Sequence, residues 1–261
     1  MENYRHAHRR EKNHTQFVSF SGIDGAGKST QIDALRDRLE AVGLRVRVIR
    51  FWDEVAQLRA LREGAGHRIF HGDEGVGTPE APIERRDKNV QSWPMSCVRI
   101  GLYFLDAVAT RRVAAHLLRS HADVIIFDRY IYDELANLKL KNPIVRAYAQ
   151  MLIAMVPRPR ISYLLDADPV EARARKPEYP LDFVYANRQS YLDLNVLFGG
   201  LTVISPMAME ETKAEVWRRA VQDLSLEDLS FEDLSFETEQ SAGLKRPPGG
   251  EACPVCIQAK S

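Results

Sequence analysis

The sequence has few cysteines and no excess of either charge. Its three cysteines, Cys97, Cys253 and Cys256, are too few and too unevenly spaced for a disulfide framework. Lysine plus arginine and aspartate plus glutamate both number 36, so no global field selects nucleic acid or an anionic membrane as the main partner. Any anion must therefore be bound by local chemistry.

Long apolar runs are missing as well. The longest apolar stretch, residues 147–156, is too short and too interrupted to span a bilayer, and the N-terminus has no apolar signal core. We therefore expect a cytoplasmic protein with no membrane partner and no nucleic-acid partner. The 45% of hydrophobic residues and 28% of charged residues are enough for one substantial core.

The chain divides into three segments by composition. Residues 1–15 are basic and lack apolar periodicity, which predicts a disordered arm. Residues 16–221 carry the patterns of a folded domain. Residues 222–261 begin with an acidic five-residue repeat, Asp-Leu-Ser-Leu/Phe-Glu, and continue with Pro- and Gly-containing sequence, so we predict a disordered tail.

Strand and helix patterns alternate along the middle segment. Strands are predicted at residues 17–20, 44–51, 124–127, 161–165 and 201–204, and helices at 28–42, 95–120, 143–155, 169–176, 181–197 and 210–221. The strands are apolar without alternation, which indicates a parallel sheet buried on both faces. We therefore predict a doubly wound α/β fold with a five-stranded parallel sheet and helices on both faces. Residues 62–93 are polar, rich in Gly and Pro, and predict a long functional loop.

A phosphate-binding motif joins the first predicted strand to the first predicted helix. It has the form G-x-x-x-x-G-K-[ST], and its nucleotide-binding residues are Gly22, Asp24, Gly25, Ala26, Gly27, Lys28, Ser29 and Thr30. Glycines let backbone N–H groups face a phosphate, and the helix N-terminus adds the positive end of its dipole. Lys28 supplies a charge for the β- and γ-phosphates of a nucleoside triphosphate. A glycine-rich turn without a ligand is the alternative.

A magnesium ion that accompanies the triphosphate needs oxygen ligands. Ser29 offers its hydroxyl, and Asp128 offers a carboxylate at the end of the apolar strand 124–127. The carboxyl ends of parallel strands share one edge of a sheet, so both residues are expected to face one crevice. Taken alone, Asp128 fits a turn or helix cap equally well.

Three segments resemble the thymidylate kinase family. Residues 20–31, Phe-Ser-Gly-Ile-Asp-Gly-Ala-Gly-Lys-Ser-Thr-Gln, look like its opening motif, and Phe127-Asp128-Arg129-Tyr130 is similar to its Asp-Arg-Tyr/His motif. Residues 171–176 look like the basic start of its lid. The resemblance covers roughly residues 17–221 and implies a P-loop NTPase fold with a mobile lid, ATP and Mg²⁺ as donor and cofactor, and a homodimer through residues 95–120.

The resemblance also implies which residues act. The loop carries no arginine after Asp24, so Arg173 and Arg175 become the candidates for charge stabilisation, as in the lid-arginine subtype. Asp24 stands where the family places an acidic residue beside the acceptor. Arg129 is expected to bind phosphate oxygens, with an ion pair to Asp24 or Asp133 as the alternative.

The acceptor side departs from the family pattern. Arg50 and Phe51 are the candidates there, with Arg129 and Tyr130, for binding the substrate, but Asp53 stands near the place of the arginine that grips the monophosphate. Family members usually have an arginine near Val108 that helps to hold the nucleotide, and residues 102–108 contain none. Substitutes are sought among the arginines and lysine of two other segments, Arg85, Arg86, Lys88, Arg111 and Arg112. Phe51 is a candidate for base stacking or for the core.

These features predict a nucleoside monophosphate kinase that converts dTMP to dTDP with ATP. Lys28, Asp24, Arg129, Arg173 and Arg175 are the predicted catalytic residues. One alternative is a divergent kinase with another small-molecule acceptor, which the missing acceptor arginines favour. Another alternative is a nucleotide-dependent regulatory module, against which the lid argues.

Overall fold

The computed structural model describes residues 15–55 and 93–226. The strands are β1 (Gln16–Ser21), β2 (Val46–Arg50), β3 (Val124–Asp128), β4 (Ile161–Leu165) and β5 (Thr202–Ile204). The α-helices are α1 (Lys28–Ala41), α2 (Trp93–Leu117), α3 (Ile131–Leu135), α4 (Pro143–Met155), α5 (Pro169–Arg175), α6 (Leu181–Phe198) and α7 (Met209–Asp223). Phe51–Val55 forms a π-helical turn after β2.

The five strands form one sheet in the order β2-β3-β1-β4-β5, and every neighbouring pair is parallel. The predicted α/β class with a five-stranded parallel sheet is confirmed. In register, Asp128 at the end of β3 lies beside Phe20 of β1 on one side and Arg50 of β2 on the other. The carboxyl ends of these strands therefore meet at one edge, where the sequence placed the phosphate loop.

Helices cover both faces of the sheet. Alternate residues of one strand point to opposite faces, so Val18 and Phe20 join a core with α1 and α7, whereas Phe17 joins the core on the other face. That second core also contains residues of α2, α3, α4 and α6. The central strands β1, β3 and β4 are thus buried on both sides, as expected for a parallel sheet, whereas the edge strands β2 and β5 are partly exposed.

The first helix begins and ends at glycines in the left-handed region. Gly27 precedes α1 with φ 85°, and Gly43 follows it with φ 84°. At the end, the N–H groups of Gly43 and Leu44 donate to the carbonyls of Glu40 and Leu39 at 2.9 and 3.0 Å. These bonds satisfy carbonyls that the helix leaves open, which fixes its last turn.

Some boundaries differ from the prediction. The second strand ends at Arg50 because Phe51–Val55 turns into the π-helix. The short helix α3 is too brief and too polar for periodicity to show it. Within the two described ranges, no helix is both long and apolar enough to cross a membrane.

The folded part includes the beginning of the acidic repeat. Helix α7 runs to Asp223, and Leu224 and Leu226 are buried in the core beside it, 2% and 6% exposed. Gln16 Nε2 donates to the Leu224 carbonyl at 3.3 Å. The first repeat unit therefore packs onto the domain. Three predicted segments lie outside the described residues: the arm except Thr15, the long loop except its last residue, and the rest of the tail.

Candidate active site

The phosphate loop turns sharply between β1 and α1. Gly25 and Gly27 have φ values of 83° and 85°, which L side chains rarely adopt. A Cβ on Gly27 would meet nothing within 4 Å, so the space above the helix N-terminus is open. The loop thus has the open cradle and the helix N-terminus that phosphate oxygens need.

Lys28 is the charged centre of the loop. Its side chain is 7% exposed, and its Nζ donates to the carbonyls of Gly22 and Ile23 at 2.8 Å each. Burial, helped by repulsion from Arg129, lowers the pKa of Lys28 to about 7, although nearby carboxylates oppose the shift. A phosphate near Nζ would supply the negative charge that favours the ammonium form.

Arg129 links the phosphate loop to helix α3. Its guanidinium forms ion pairs with Asp24 through Nη2 and with Asp133 through Nη1, the latter at 3.2 Å. Its backbone lies in the left-handed region, φ 72°, a conformation that a non-glycine residue keeps only when its surroundings hold it. The ion pairs and the bond from the Arg129 N–H to the Phe20 carbonyl at 3.0 Å hold it there.

Asp133 is a residue of the site that the sequence analysis named only as one partner of Arg129. It is 5% exposed and accepts hydrogen bonds from Ser21 Oγ at 2.7 Å, from Tyr191 Oη at 2.8 Å and from the Tyr130 N–H at 3.1 Å. Its position four residues after Arg129 in the sequence was the available signal, although Arg129 itself lies before helix α3. We infer that Asp133 fixes the Arg129 side chain.

The two predicted metal ligands lie at the same end of the sheet. Ser29 is exposed in the first turn of α1, and Asp128 ends β3 beside the loop. Burial raises the pKa of the Asp128 carboxyl, while Arg129 and Lys28 lower it. Among the residues described, no group of three or more His, Cys, Asp or Glu side chains forms a metal cage. One hydroxyl, one carboxylate and phosphate oxygens suit Mg²⁺ without such a cage.

Helix α5, the predicted lid, lies directly on the phosphate loop. Asp168 caps it by accepting from the Val170 and Glu171 N–H groups at 2.9 and 3.1 Å. A Cβ on Gly25 would lie 2.1 Å from the Ala172 carbonyl oxygen, so only glycine fits beneath the helix. Position 25, where the loop has glycine and no arginine, is thus the position that the lid contacts.

The lid arginines point in different directions. Arg173 Nε donates to the Tyr179 carbonyl at 3.1 Å, and Arg175 Nε donates to the Glu171 carbonyl at 3.2 Å. Arg175 also lines a cavity of about 380 Å³ between α1, α5 and the segment before α7. Its wall combines neutral residues with negatively charged side chains and with Arg175. Among the lining residues are Gly27, Gln31, Asp166, Asp168, Ser205 and Met209.

The predicted acceptor residues occupy different environments. Arg50 is exposed at the end of β2, but Phe51 and Tyr130 are both 0% exposed. Phe51 packs edge-on against Trp52, and the Tyr130 hydroxyl donates to the Pro157 carbonyl. Neither ring offers a face to a base, so their placement corrects the substrate-binding prediction toward the core alternative.

Of the substitute cations, the structure describes two, Arg111 and Arg112 of helix α2. Arg111 Nη1 donates to the Met155 carbonyl at 3.2 Å, at the end of α4. Arg112, which follows Arg111 on helix α2, is exposed. Arg85, Arg86 and Lys88 lie outside the described residues.

Two bacterial proteins with similar sequences are both named thymidylate kinase. Thymidylate kinase from Bifidobacterium longum strain DJO10A is 30% identical over 191 residues, covering 68% of this chain and 82% of that protein. Thymidylate kinase from Syntrophotalea carbinolica is 28% identical and is covered to 81%. No protein-family model matches the chain.

The fold also has a solved counterpart. The structure of thymidylate kinase from Candida albicans, described as having broad substrate specificity, superposes with a TM-score of 0.54 at 16% identity and covers 80% of this chain and 92% of that one. This likeness supports the P-loop NTPase fold, and the identity to the bacterial enzymes supports the relationship. The chain belongs to the thymidylate kinase family.

Proposed function

We propose that the protein transfers the γ-phosphoryl group of ATP to dTMP, forming ADP and dTDP. The observation that carries this proposal is the contact of the lid with a complete phosphate loop, beside the buried Lys28 ammonium. Phosphoryl transfer requires positioning and cations around the phosphoryl oxygens more than covalent work by the protein. A lid over the loop supplies both and excludes water.

On the donor side, backbone N–H groups of the phosphate loop bind the phosphates, with Lys28 between them. Ser29 and Asp128 would hold Mg²⁺, which neutralises charge on the β- and γ-phosphates when bound. Arg175 lines the cavity beside α1, which has the size and mixed polarity for the donor base. Arg173 and Arg175 remain our proposed lid cations.

On the acceptor side, Asp24 and Arg129 stand between the loop and helix α3. Arg129 is held by two carboxylates and is 15% exposed as a side chain, so an incoming phosphate meets an arginine that is already oriented. Arg50 is exposed at the end of β2, one strand from Asp128. Arg129 and Arg50 are the proposed acceptor cations among the described residues.

A second candidate function is a kinase of the same mechanism with a different small-molecule acceptor. Asp53 is exposed after β2, and Arg111 is directed to the end of α4, so the described residues lack two arginines of the family pattern. A dianionic phosphate then meets fewer fixed cations. An acceptor with less charge would suit this surface.

We also propose a homodimer through α2. Ile100, Phe104 and Leu105 of this helix are 36%, 42% and 42% exposed, and apolar side chains at such exposure favour a covering partner. The start of the kinase domain at residue 16, the predicted disorder of the arm and of the tail, and a cytoplasmic location remain predictions. The burial of Leu224 and Leu226 extends the domain past its predicted end at residue 221.

The test of transfer compares the wild type with Lys28→Met in Mg²⁺, ATP and dTMP, following ADP and dTDP. Methionine keeps most of the buried stem and removes the charge. We expect the rate to fall by about a thousandfold or more, because this cation contacts the transferring charge. A thermal melt checks the fold. A folded variant with full transfer would contradict the proposed role.

A further inference from the structure

The lid carries three cations, and each has a different partner. Arg173 is bound to the Tyr179 carbonyl, and Arg175 is bound to the Glu171 carbonyl and forms an ion pair with the Glu171 carboxylate at 3.7 Å. Lys176 Nζ lies 3.7 Å from Asp24 Oδ1 and 3.2 Å from Glu178 Oε1. Lys176 is therefore the lid cation that forms an ion pair with a side chain of the phosphate loop.

The backbone of Lys176 is fixed close to the loop. Its N–H donates to the carbonyls of Ala172 and Arg173 at 3.0 and 3.2 Å, which makes it the C-terminal cap of α5. The same Ala172 carbonyl lies over Gly25. The residue thus starts within one helical turn of the point where lid and loop meet.

The side chain of Lys176 is held without being buried. It is 43% exposed, while its partners Asp24 and Glu178 are 17% and 10% exposed as side chains. Asp24 is shared, because the same Oδ1 atom also accepts from Arg129. A phosphate that enters beside Asp24 competes for both cations, and a lysine stem has the freedom to follow it.

We propose that Lys176 is a further catalytic residue, whose ammonium moves from Asp24 and Glu178 to an oxygen of the transferring phosphoryl group. This proposal rests on the proposed function. In the step, an acceptor phosphate oxygen forms a bond to the γ-phosphorus, and the bond from that phosphorus to the β,γ-bridging oxygen breaks, leaving ADP. Lys176 exchanges no proton and contributes charge alone.

The geometry separates this role from that of its neighbour. Arg175 lines the cavity beside α1, next to Gly27 and Gln31, on the donor side of the loop. Lys176 contacts Asp24, which Arg129 joins to the acceptor side. Loss of Arg175 should therefore weaken ATP binding as well as slow transfer, whereas loss of Lys176 should slow transfer with ATP binding preserved.

The test compares Lys176→Met, Lys176→Arg and a control, Arg218→Met. Arg218 is an exposed cation on α7, 57% exposed and paired with Glu215. We expect Lys176→Met to lower kcat about a hundredfold, since one oriented donor to the transition state has an effect of this order. Its Kd for ATP should change less than threefold, Lys176→Arg should restore most of kcat, and Arg218→Met should match the wild type. Unchanged kcat in Lys176→Met would overturn the proposal.

A second measurement needs no acceptor. ADP with magnesium and fluoroaluminate mimics the transferring phosphoryl group, and calorimetry gives its Kd beside that of ADP alone. We expect Lys176→Met to weaken the fluoroaluminate complex about a hundredfold and leave ADP binding unchanged. Equal affinity in variant and wild type overturns the role of Lys176. Failure of the wild type to phosphorylate any monophosphate would instead count against the proposed function alone.

Discussion

The donor and acceptor halves of the proposed site differ in the protein groups that would bind the substrates. In the proposed function, the donor half would bind mainly through the backbone groups and side chains of the contiguous residues 22–29, with helix α5 above them. The acceptor half, Arg50 to Asp53 with Arg129 and helix α2, would depend on side chains from separate elements. From the resemblance to the family, the donor half has the expected residues, whereas Asp53 stands near an expected arginine and residues 102–108 contain none. A backbone cradle tolerates little change in sequence, but a clamp of side chains can be rebuilt residue by residue.

Asp133 holds Arg129 of the acceptor half and also binds Ser21, the last residue of the strand that leads into the phosphate loop, so its loss should have the largest effect. Asp133 binds Arg129, Ser21, Tyr191 and the Tyr130 N–H from a buried position. We expect Asp133→Ala to lower the free energy of unfolding by about 3–5 kcal/mol, because Arg129 loses a buried partner and several donors lose their acceptor. Urea denaturation measures it.

The control for Asp133 is an aspartate at the surface. Asp33 is paired with Arg36 at 3.0 Å but is 59% exposed as a side chain. Asp33→Ala should lower the free energy of unfolding by less than about 1 kcal/mol. Similar losses in the two variants would show that the network around Asp133 does not stabilise the fold.

The lid contact of the donor half can be tested with two glycines of nearly equal φ. Gly25 and Gly43 have φ of 83° and 84°, but an added Cβ meets Ala172 only at Gly25, and meets nothing within 4 Å at Gly43. Both Ala variants should lose about 1–2 kcal/mol of stability through backbone strain. Gly25→Ala should in addition lower kcat about a hundredfold, because the lid is displaced by an ångström or more.

The kcat values of the two glycine variants decide whether the lid contact matters for transfer. Gly43→Ala, corrected for its folded fraction, should keep the kcat of the wild type. If Gly25→Ala also keeps it, the lid does not need its present contact with the loop for transfer.

The buried charge of the donor half should show in the pH dependence of stability. The pKa of Lys28 falls from 10.5 to about 7 on folding, mainly through burial. Between these values the unfolded chain binds the extra proton, so the free energy of unfolding rises with pH, by at most about 1.4 kcal/mol per pH unit. Below pH 7 both states are protonated and the slope disappears. Denaturation of the wild type and Lys28→Met from pH 7 to 9 measures the difference, and parallel curves would contradict it.

The phosphate loop of the donor half could be predicted from the sequence because its motif residues are contiguous. Residues 22–29 lie between an apolar strand and a helix, and the central strands β1, β3 and β4 show no alternation. The sequence did not predict the burial of Phe51 and Tyr130, since an aromatic residue near a strand end fits a core and a binding site equally well. The contact of Lys176 with Asp24 depends on how the lid lies on the loop, which is a tertiary feature without a local pattern.

The central claim is that a complete donor half serves a monophosphate acceptor despite the altered clamp. The most direct measurement is kcat/KM for dTMP, dUMP, dCMP, dGMP and dAMP with saturating ATP and Mg²⁺, alongside a Kd for ATP. We expect dTMP to have the highest kcat/KM of the five. Intact ATP binding with no turnover of any monophosphate would contradict it and favour the kinase with another acceptor.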